Sequence, residues 1–288
     1  MASTLLLQRR IKTAQNISKT TRAMQMIAAS KLKKAQDAAL SSRPYVEKLL
    51  TVTGNLTKRV DMPSQPVYMK APKENGKTLF VVIGPDKGLC GGLVTNLARE
   101  ILKQSKSQDS FITVGKKLES PVSRMTKNIV ASFPFGNALP TYDLVYPIAK
   151  IIDEQFMSGA VDRVALLSTH FVTVFTQKPA VTDLLPIKPR EQEENQSKVN
   201  AAADAFQLFE PNLESILPEL LKRYMEMAVY QEVLESYLAE QSARMLSMQN
   251  ATNNARDIIE DLKLEYNKTR QAKITNELLD LTSSAVNS

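Results

Sequence analysis

The residues best placed to do chemistry are the glycines of GPDKGLCGGL, at 84–93, which follow the apolar run TLFVVI. Glycine-rich loops between a strand and a helix often bind phosphates through backbone N–H groups. A Walker loop needs GxxxxGK[ST], but Leu89 and Cys90 stand where its final Gly-Lys is required, and the GxGxxG spacing of dinucleotide-binding folds is absent. We interpret the loop as a tight strand-to-helix turn, with a phosphate site as the alternative.

Nucleophilic and metal chemistry have few candidates. Cys90 is the single cysteine and His170 the single histidine, which excludes an internal disulfide framework and any metal site built on several imidazoles. No histidine lies near Cys90 in the sequence, so we expect this thiol to fill apolar space. His170, at the end of an apolar strand, is expected to be a hydrogen-bonded structural residue. We predict no catalytic residue, no metal and no cofactor.

Positive charge is concentrated at the N-terminal end. The chain has a formal charge of +7, but residues 1–60 carry twelve Lys or Arg against only Asp37 and Glu47. This end favours an acidic partner: nucleic acid, a membrane surface or an acidic protein. Nucleic acid is disfavoured because no aromatic side chain precedes Tyr45 to stack on bases. Direct membrane insertion is not expected, since no apolar run approaches the ~20 residues that cross a bilayer.

The positions of glycine and proline, which interrupt helices, indicate where the long helices of this chain lie. Every glycine and proline lies between Pro44 and Pro218, so residues 1–43 and 219–288 contain neither. A helix over 219–288 is far longer than ordinary globular helices and requires a special architecture. The predicted domains are an N-terminal coiled-coil helix at 1–60, an α/β domain at 75–190, a connector at 191–218 and a C-terminal coiled-coil helix at 219–288.

Both ends carry a heptad repeat, which predicts that they pair as an antiparallel coiled coil closed by the middle domain. The C-terminal positions are Leu234, Leu238, Gln241, Met245, Met248, Thr252, Ala255, Ile259, Leu262, Tyr266 and Thr269. The N-terminal positions, weaker and smaller, are Ile11, Ala14, Ile17, Thr21, Met24, Ala28, Leu32, Ala35 and Ala39. Polar and small members make this interface poorer in leucine than one built only for stability. The methionines on both helices are expected mostly to pack between them.

The middle of the chain alternates predicted strands and helices. The strands are TLFVVI (78–83), SFITVG (110–115), NIVASFPF (128–135) and one or two more within 161–187; the helices are 93–104 and 142–159. Such alternation indicates a mostly parallel, doubly wound sheet. The predicted fold class is therefore α/β plus a long coiled coil, with a Rossmann-like central domain.

Three segments resemble the gamma-subunit family of F-type ATP synthases. They are RRIKTAQNISKTTRAMQMIAASKLKKAQDAALSSRPY (9–45), PDKGLCGGLVTNL (85–97) and SARMLSMQNATNNARDIIEDLKLEYNKTRQAKITNELLDL (242–281). The resemblance covers nearly the whole chain, with the three motifs in order and properly separated. It departs locally, because Ser283-Ser284-Ala285 stands where the family usually has Gly-Ala. The cysteine pair of redox-controlled members is also missing.

The resemblance implies a central rotor shaft. It would couple ion-driven rotation of a membrane c-ring to conformational cycling of the catalytic beta subunits, with no catalytic site of its own. The implied partners are the alpha and beta subunits of the ATPase hexamer, an epsilon-type subunit and the c-ring, with one copy of the chain per complex. The implied location is peripheral, on the cytoplasmic face of a bacterial inner membrane or on the matrix side of a mitochondrial one.

The family's functional positions transfer to this chain in three groups. The resemblance implies hydrogen-bonded catch contacts with a beta subunit at Arg270, Gln271, Thr275 and Glu277. It implies contacts with an acidic beta lever at Lys19, Arg22, Met24 and Gln25. The foot loop, in the α/β domain, corresponds to Gly88, Leu89, Cys90, Gly91 and Gly92.

Two other interpretations stay open at this point. A nucleotide-binding α/β enzyme with helical extensions would bind ATP or NAD in a titration of the isolated chain, whereas a stalk subunit would not. A static coiled-coil adaptor would co-purify with partners other than a hexameric ATPase.

Overall fold

The computed structural model describes residues 4–57, 66–70, 76–125, 128–187 and 213–286. Its two long helices are α1 (Thr4–Thr57) and α5 (Leu213–Val286). The chain divides into two compact units. The first, here the helical unit, combines Met1–Ser30 with Arg244–Ser288, and the second, the sheet unit, is Lys31–Ala243. No described helix contains an apolar stretch long enough to cross a bilayer.

Each of the two long helices contains a proline, and the C-terminal helix begins earlier than the predicted position 219. Pro44 lies inside α1, and α5 begins at Leu213 and so includes Pro218. Proline removes one backbone hydrogen bond and crowds the preceding turn. Leu217 and Leu221 on either side of Pro218 are buried, and this packing holds the helix through the proline. Residues 191–212 of the predicted connector lie outside the described residues.

In the helical unit the two helices run antiparallel. Gln8 Nε2 donates a hydrogen bond to the Tyr266 hydroxyl at 2.9 Å, and the hydroxyls of Thr21 and Thr252 lie 2.7 Å apart. Later residues of α1 thus meet earlier residues of α5. The predicted antiparallel coiled coil is confirmed, with a hydroxyl pair inside its interface.

The predicted interface positions are confirmed on α5 from Met248 to Thr269, where they are buried or partly buried among mostly exposed neighbours. Residues 233–243 are all buried, so burial there does not distinguish Leu234, Leu238 and Gln241 from the residues beside them. On α1 two predictions are wrong. Ile17 is 51% exposed and Met24 40% exposed, whereas the neighbouring Ser18 and Gln25 are partly buried. With these replacements the interface positions alternate in steps of four and three, as a heptad repeat requires. They are Leu7, Ile11, Ala14, Ser18, Thr21, Gln25, Ala28, Leu32, Ala35 and Ala39.

The sheet unit contains a five-stranded sheet in its described part, with strand order β3-β2-β1-β4-β5. The strands are β1 (Thr78–Ile83), β2 (Ser110–Val114), β3 (Ile129–Phe133), β4 (Arg163–Thr173) and β5 (Thr176–Leu185). The first four pair in parallel and β5 is antiparallel to β4. The mostly parallel sheet is confirmed. The segment 161–187 forms two of its strands, β4 and the antiparallel edge strand β5.

Besides the parts of α1 and α5 that fall within it, the described part of the sheet unit contains a short 3-10 turn and three further helices. They are the 3-10 turn Val67–Met69, α2 (Leu93–Gln104), α3 (Lys116–Met125) and α4 (Tyr142–Met157). The sequence prediction omits α3, which contains Pro121. All six residues of β1 are buried, and α2 packs Leu93, Leu97 and Ile101 into the core. Each large aliphatic side chain buried in this way contributes roughly 1.5–3 kcal/mol.

Candidate functional site

The loop between β1 and α2 is a tight turn that presents one apolar side chain to solvent. Gly91 has φ +61° and Leu89 φ +65°, in the left-handed region that glycine adopts without a steric cost but leucine does not. Leu89 is 61% exposed. Cys90 is 2% exposed and packs in the core cluster with Leu93 and Leu97, which confirms the predicted apolar filler.

Two glycines let the ends of β1 and β2 approach each other. A Cβ atom at Gly84 would lie 2.4 Å from Leu118 Cδ1. A Cβ atom at Gly115, where φ is +111°, would lie 2.0 Å from the carbonyl oxygen of Gly84. Close backbone packing therefore requires a glycine at position 115, whereas Gly84 leaves room for the Leu118 side chain of α3.

Asp86, which the sequence prediction did not single out, ties this loop to two other segments. Its carboxylate accepts hydrogen bonds from the backbone N–H groups of Lys116 at 2.9 Å, Phe135 at 3.0 Å and Gly136 at 2.8 Å. Burial opposes ionisation, but these three donors hold the pKa of Asp86 below its ordinary value. Lys116 is the first residue of α3, so Asp86 also satisfies a free N–H at that helix N-terminus. The only sequence signal was an Asp after Pro85, which is typical of turns.

His170 on β4 belongs to a polar cluster that faces α5 within the sheet unit. Its Nε2 lies 3.0 Å from Oε2 of Glu232, which also accepts a 2.6 Å hydrogen bond from the Ser168 hydroxyl. The Thr182 hydroxyl donates to Oε1 of Glu232 at 3.2 Å. The hydrogen bond with Glu232 raises the pKa of His170. Burial opposes the charge of Glu232, but its hydrogen-bond partners lower the pKa of this carboxyl. The predicted structural role of the histidine is confirmed.

Stability should depend on pH through His170. Because its pKa is raised in the folded state, the protonated ring stabilises the fold below the unfolded pKa of about 6.5. This stabilisation is lost as pH rises through the folded-state pKa. Since the side chain is 39% exposed, solvent screening limits the gain to under about 1 kcal/mol.

We therefore expect His170→Gln to lower the thermal unfolding midpoint more at about pH 5.5 than at about pH 8.5. Glutamine keeps a hydrogen-bond donor for Glu232, so the main change in the variant is the loss of the titratable imidazole. Thermal scans of both proteins at the two pH values measure the difference. If the variant lowered the unfolding midpoint equally at both pH values, the His170 ring would not change its protonation between them.

The predicted contact residues lie in the helical unit at two separate places. On α1, Lys19, Arg22 and Met24 are exposed and Gln25 is partly buried. Residues Arg270, Gln271, Thr275 and Glu277 are all exposed on α5. Arg22 shares a groove with Arg256, and from Arg256 to Arg270 the helix rises about 21 Å. The structure therefore does not bring the two groups together.

Exposed apolar side chains accompany the basic residues of α1. Ile17, Met24, Met26 and Ile27 are between 40% and 58% exposed. The expected packing of methionines between the helices is thus wrong for Met24 and Met26, whereas Met225 and Met248 are buried. Flexible thioethers next to cationic side chains give an outer face that adapts to differently shaped partners.

Comparison with known proteins gives one consistent result. A family model described as ATP synthase matches residues 3–286. An ATP synthase gamma chain from Dehalococcoides mccartyi is 40% identical, with 99% of each chain covered. The gamma chain from Pelotomaculum thermopropionicum is 38% identical, covering 97% of this chain and 96% of the relative.

Solved structures agree on the fold. The central stalk and c-ring structure of Tetrahymena thermophila mitochondrial ATP synthase aligns with a TM-score of 0.61 at 27% identity, covering 81% of this chain and 99% of that one. A chain of Euglena gracilis mitochondrial ATP synthase aligns with a TM-score of 0.68 at 17% identity, covering 98% and 93%. At that identity the second match supports the fold alone.

Proposed function

This chain belongs to the ATP synthase gamma-chain family, and we propose that two exposed groups on its helical unit make its contacts with the catalytic beta subunits. The chain is the central rotor shaft of an F-type ATP synthase. It couples rotation of the c-ring to conformational cycling of the beta subunits, within a complex that includes the alpha and beta subunits, an epsilon-type subunit and the c-ring.

The finer assignments belong to the same proposal. The chain contributes no catalytic group, and its complex moves protons or sodium ions. As a stalk subunit the protein is peripheral to the membrane. We assign it to the cytoplasmic face of a bacterial inner membrane because the most similar relatives named above are bacterial chains; the matrix side of a mitochondrial inner membrane is the alternative.

The domain assignment is also proposed. It comprises coiled-coil helices at 1–60 and 219–288, a Rossmann-like foot at 75–190 and a connector at 191–218. In this assignment the foot rests on the c-ring with the epsilon-type subunit. The exposed Leu89 of the foot loop, which follows Gly88 and precedes Cys90, Gly91 and Gly92, is available for contact with another subunit.

The observation that carries the contact assignment is the outer face of α1. Lys19 and Arg22 are exposed beside the exposed Met24, so a positive and partly apolar surface faces outward while the interface positions face α5. An acidic lever of a beta subunit is attracted to such a surface. Because the outer faces of α1 and α5 differ, each beta conformation prefers one orientation of the shaft, and rotation shifts the populations.

The double variant Lys19→Ala/Arg22→Ala tests the lever contact. Both side chains are exposed, so the free energy of unfolding should change by less than about 0.5 kcal/mol. In the assembled complex we expect ATP-driven ion pumping, relative to ATP hydrolysis, to fall about two- to fivefold, as exposed charge pairs are worth up to about 1 kcal/mol. Pumping in membrane vesicles and hydrolysis by the same vesicles give the ratio.

Lys33→Ala/Lys48→Ala is the matched control, because it removes two exposed charges from the same helix. If both double variants lowered the ratio equally, the effect would come from net charge. If Lys19→Ala/Arg22→Ala lowered thermal stability strongly, the two side chains would have a structural role instead.

A further inference from the structure

A groove on the helical unit combines side chains from both long helices. Its α1 side includes Arg22 and Gln25, and its α5 side includes Gln249, Asn253 and Arg256, around a volume of about 310 Å³. Thr252 lies at its floor and is already satisfied, since its hydroxyl pairs with Thr21 and donates to the Met248 carbonyl. The groove was not expected from sequence because its two halves are at least 220 residues apart.

The groove contains many hydrogen-bond donors and no negative charge. The guanidinium groups of Arg22 and Arg256 come from opposite helices, and neither forms an ion pair with any carboxylate in the described part of the chain. The amides of Gln25, Gln249 and Asn253 add further donors. Two like charges that share one groove favour an anion between them, and a guanidinium binds a carboxylate through two parallel hydrogen bonds.

Part of the groove wall is apolar, which decides the kind of anion. Met26, 58% exposed, and Ala29 also line it. A small inorganic anion leaves these side chains in water. A glutamate or aspartate side chain that projects from a polypeptide brings methylene groups and backbone next to them, so that burial of apolar surface adds to the ion pair.

We propose that this groove receives one acidic side chain of the beta-subunit lever, with Arg256 of α5 as a second anchor opposite Arg22. The inference rests on the proposed lever contact and deepens it, because the lever then binds both helices instead of α1 alone. A carboxylate held from two helices fixes the lever more precisely in rotation than one held by a single flexible side chain.

Photo-crosslinking in the purified complex identifies the occupant. Asn253→p-benzoylphenylalanine places a photoreactive group in the groove, and Lys263→p-benzoylphenylalanine places one on an exposed position of the same helix outside it. We expect position 253, and not position 263, to crosslink to a beta-subunit peptide that contains acidic residues. A crosslink to a peptide without acidic residues, to another subunit, or to none would overturn the proposal.

Coupling measurements test the second anchor. We expect Arg256→Ala and Arg22→Ala each to lower pumping relative to hydrolysis by about two- to fivefold. The double variant should be little worse than either single variant, because both arginines act on one carboxylate. Arg256→Lys should recover part of the loss, since it keeps the charge but not the paired hydrogen bonds.

The outcomes separate this inference from the lever contact itself. If the ratio of pumping to hydrolysis were normal in Arg256→Ala but reduced in Arg22→Ala, the second anchor would be overturned and the lever contact at Arg22 would stand. Normal ratios in both would overturn the contact at Arg22 as well. Losses that multiply in the double variant would mean two separate partners and would also overturn the shared groove.

Discussion

Gly115→Ala is expected to destabilise the sheet unit by about 3–5 kcal/mol. The new Cβ atom would lie 2.0 Å from the carbonyl oxygen of Gly84, and φ is +111° at this position. Relief requires the ends of β1 and β2 to separate, but the Gly84 N–H donates to the Val114 carbonyl at 2.8 Å and the Gly115 N–H to the Phe133 carbonyl at 2.8 Å. Thermal and denaturant unfolding of the full chain, followed by near-UV circular dichroism, measure the loss.

Gly136→Ala is the matched control. Gly136 also has a positive φ, +83°, and its N–H is also hydrogen-bonded, in this case to the Asp86 carboxylate, but nothing lies within 4 Å of a Cβ atom placed there. It should cost only the left-handed backbone strain of about 1–2 kcal/mol. Equal losses in both variants would show that backbone angle alone, and not the close approach to Gly84, accounts for the requirement at Gly115.

Arg270→Ala/Gln271→Ala is expected to slow ATP turnover of the assembled enzyme about tenfold or more, since hydrogen bonds to charged groups contribute about 1.5–3 kcal/mol. Both side chains are exposed in the helical unit, and alanine is the best helix former. The chain should therefore fold and assemble normally. Steady-state hydrolysis by the purified complex, with subunit composition measured on the same sample, gives the result.

Glu265→Ala serves as its control because Glu265 is exposed on the same helix but lies about 120° or more around it from both Arg270 and Gln271. It should leave turnover unchanged. If the double variant turned over normally, Arg270 and Gln271 would not be catch residues. If it failed to assemble, single variants at each position would separate assembly from turnover.

The long helices were predictable because their signals are repeated over many turns. The heptad positions of α5 are correct at every residue from Met248 to Thr269, since a periodic pattern averages over single exceptions. The errors on α1 have one cause. Ser18 and Gln25 occupy interface positions with polar side chains, so a search for apolar residues selected the exposed Ile17 and Met24 beside them.

The sheet unit was predictable at the level of its strands and much less at the level of its contacts. Buried strands such as β1 have an unbroken apolar run that marks them. The approach of Gly115 to Gly84 and the three amides around Asp86 depend on segments distant in sequence. No local sequence pattern predicts such long-range contacts. The groove between Arg22 and Arg256 was missed for the same reason.

The carboxylate of Asp86 has a mechanical consequence. It fastens the turn after β1 to the start of α3 and to the segment at 135–136. A force applied at Leu89 must therefore displace three backbone segments together: the loop after β1, the start of α3 and residues 135–136. These hydrogen bonds make this part of the protein stiff. If the proposed contact at Leu89 is made, torque applied through it would pass into the sheet by way of these hydrogen bonds, and not through one loop alone.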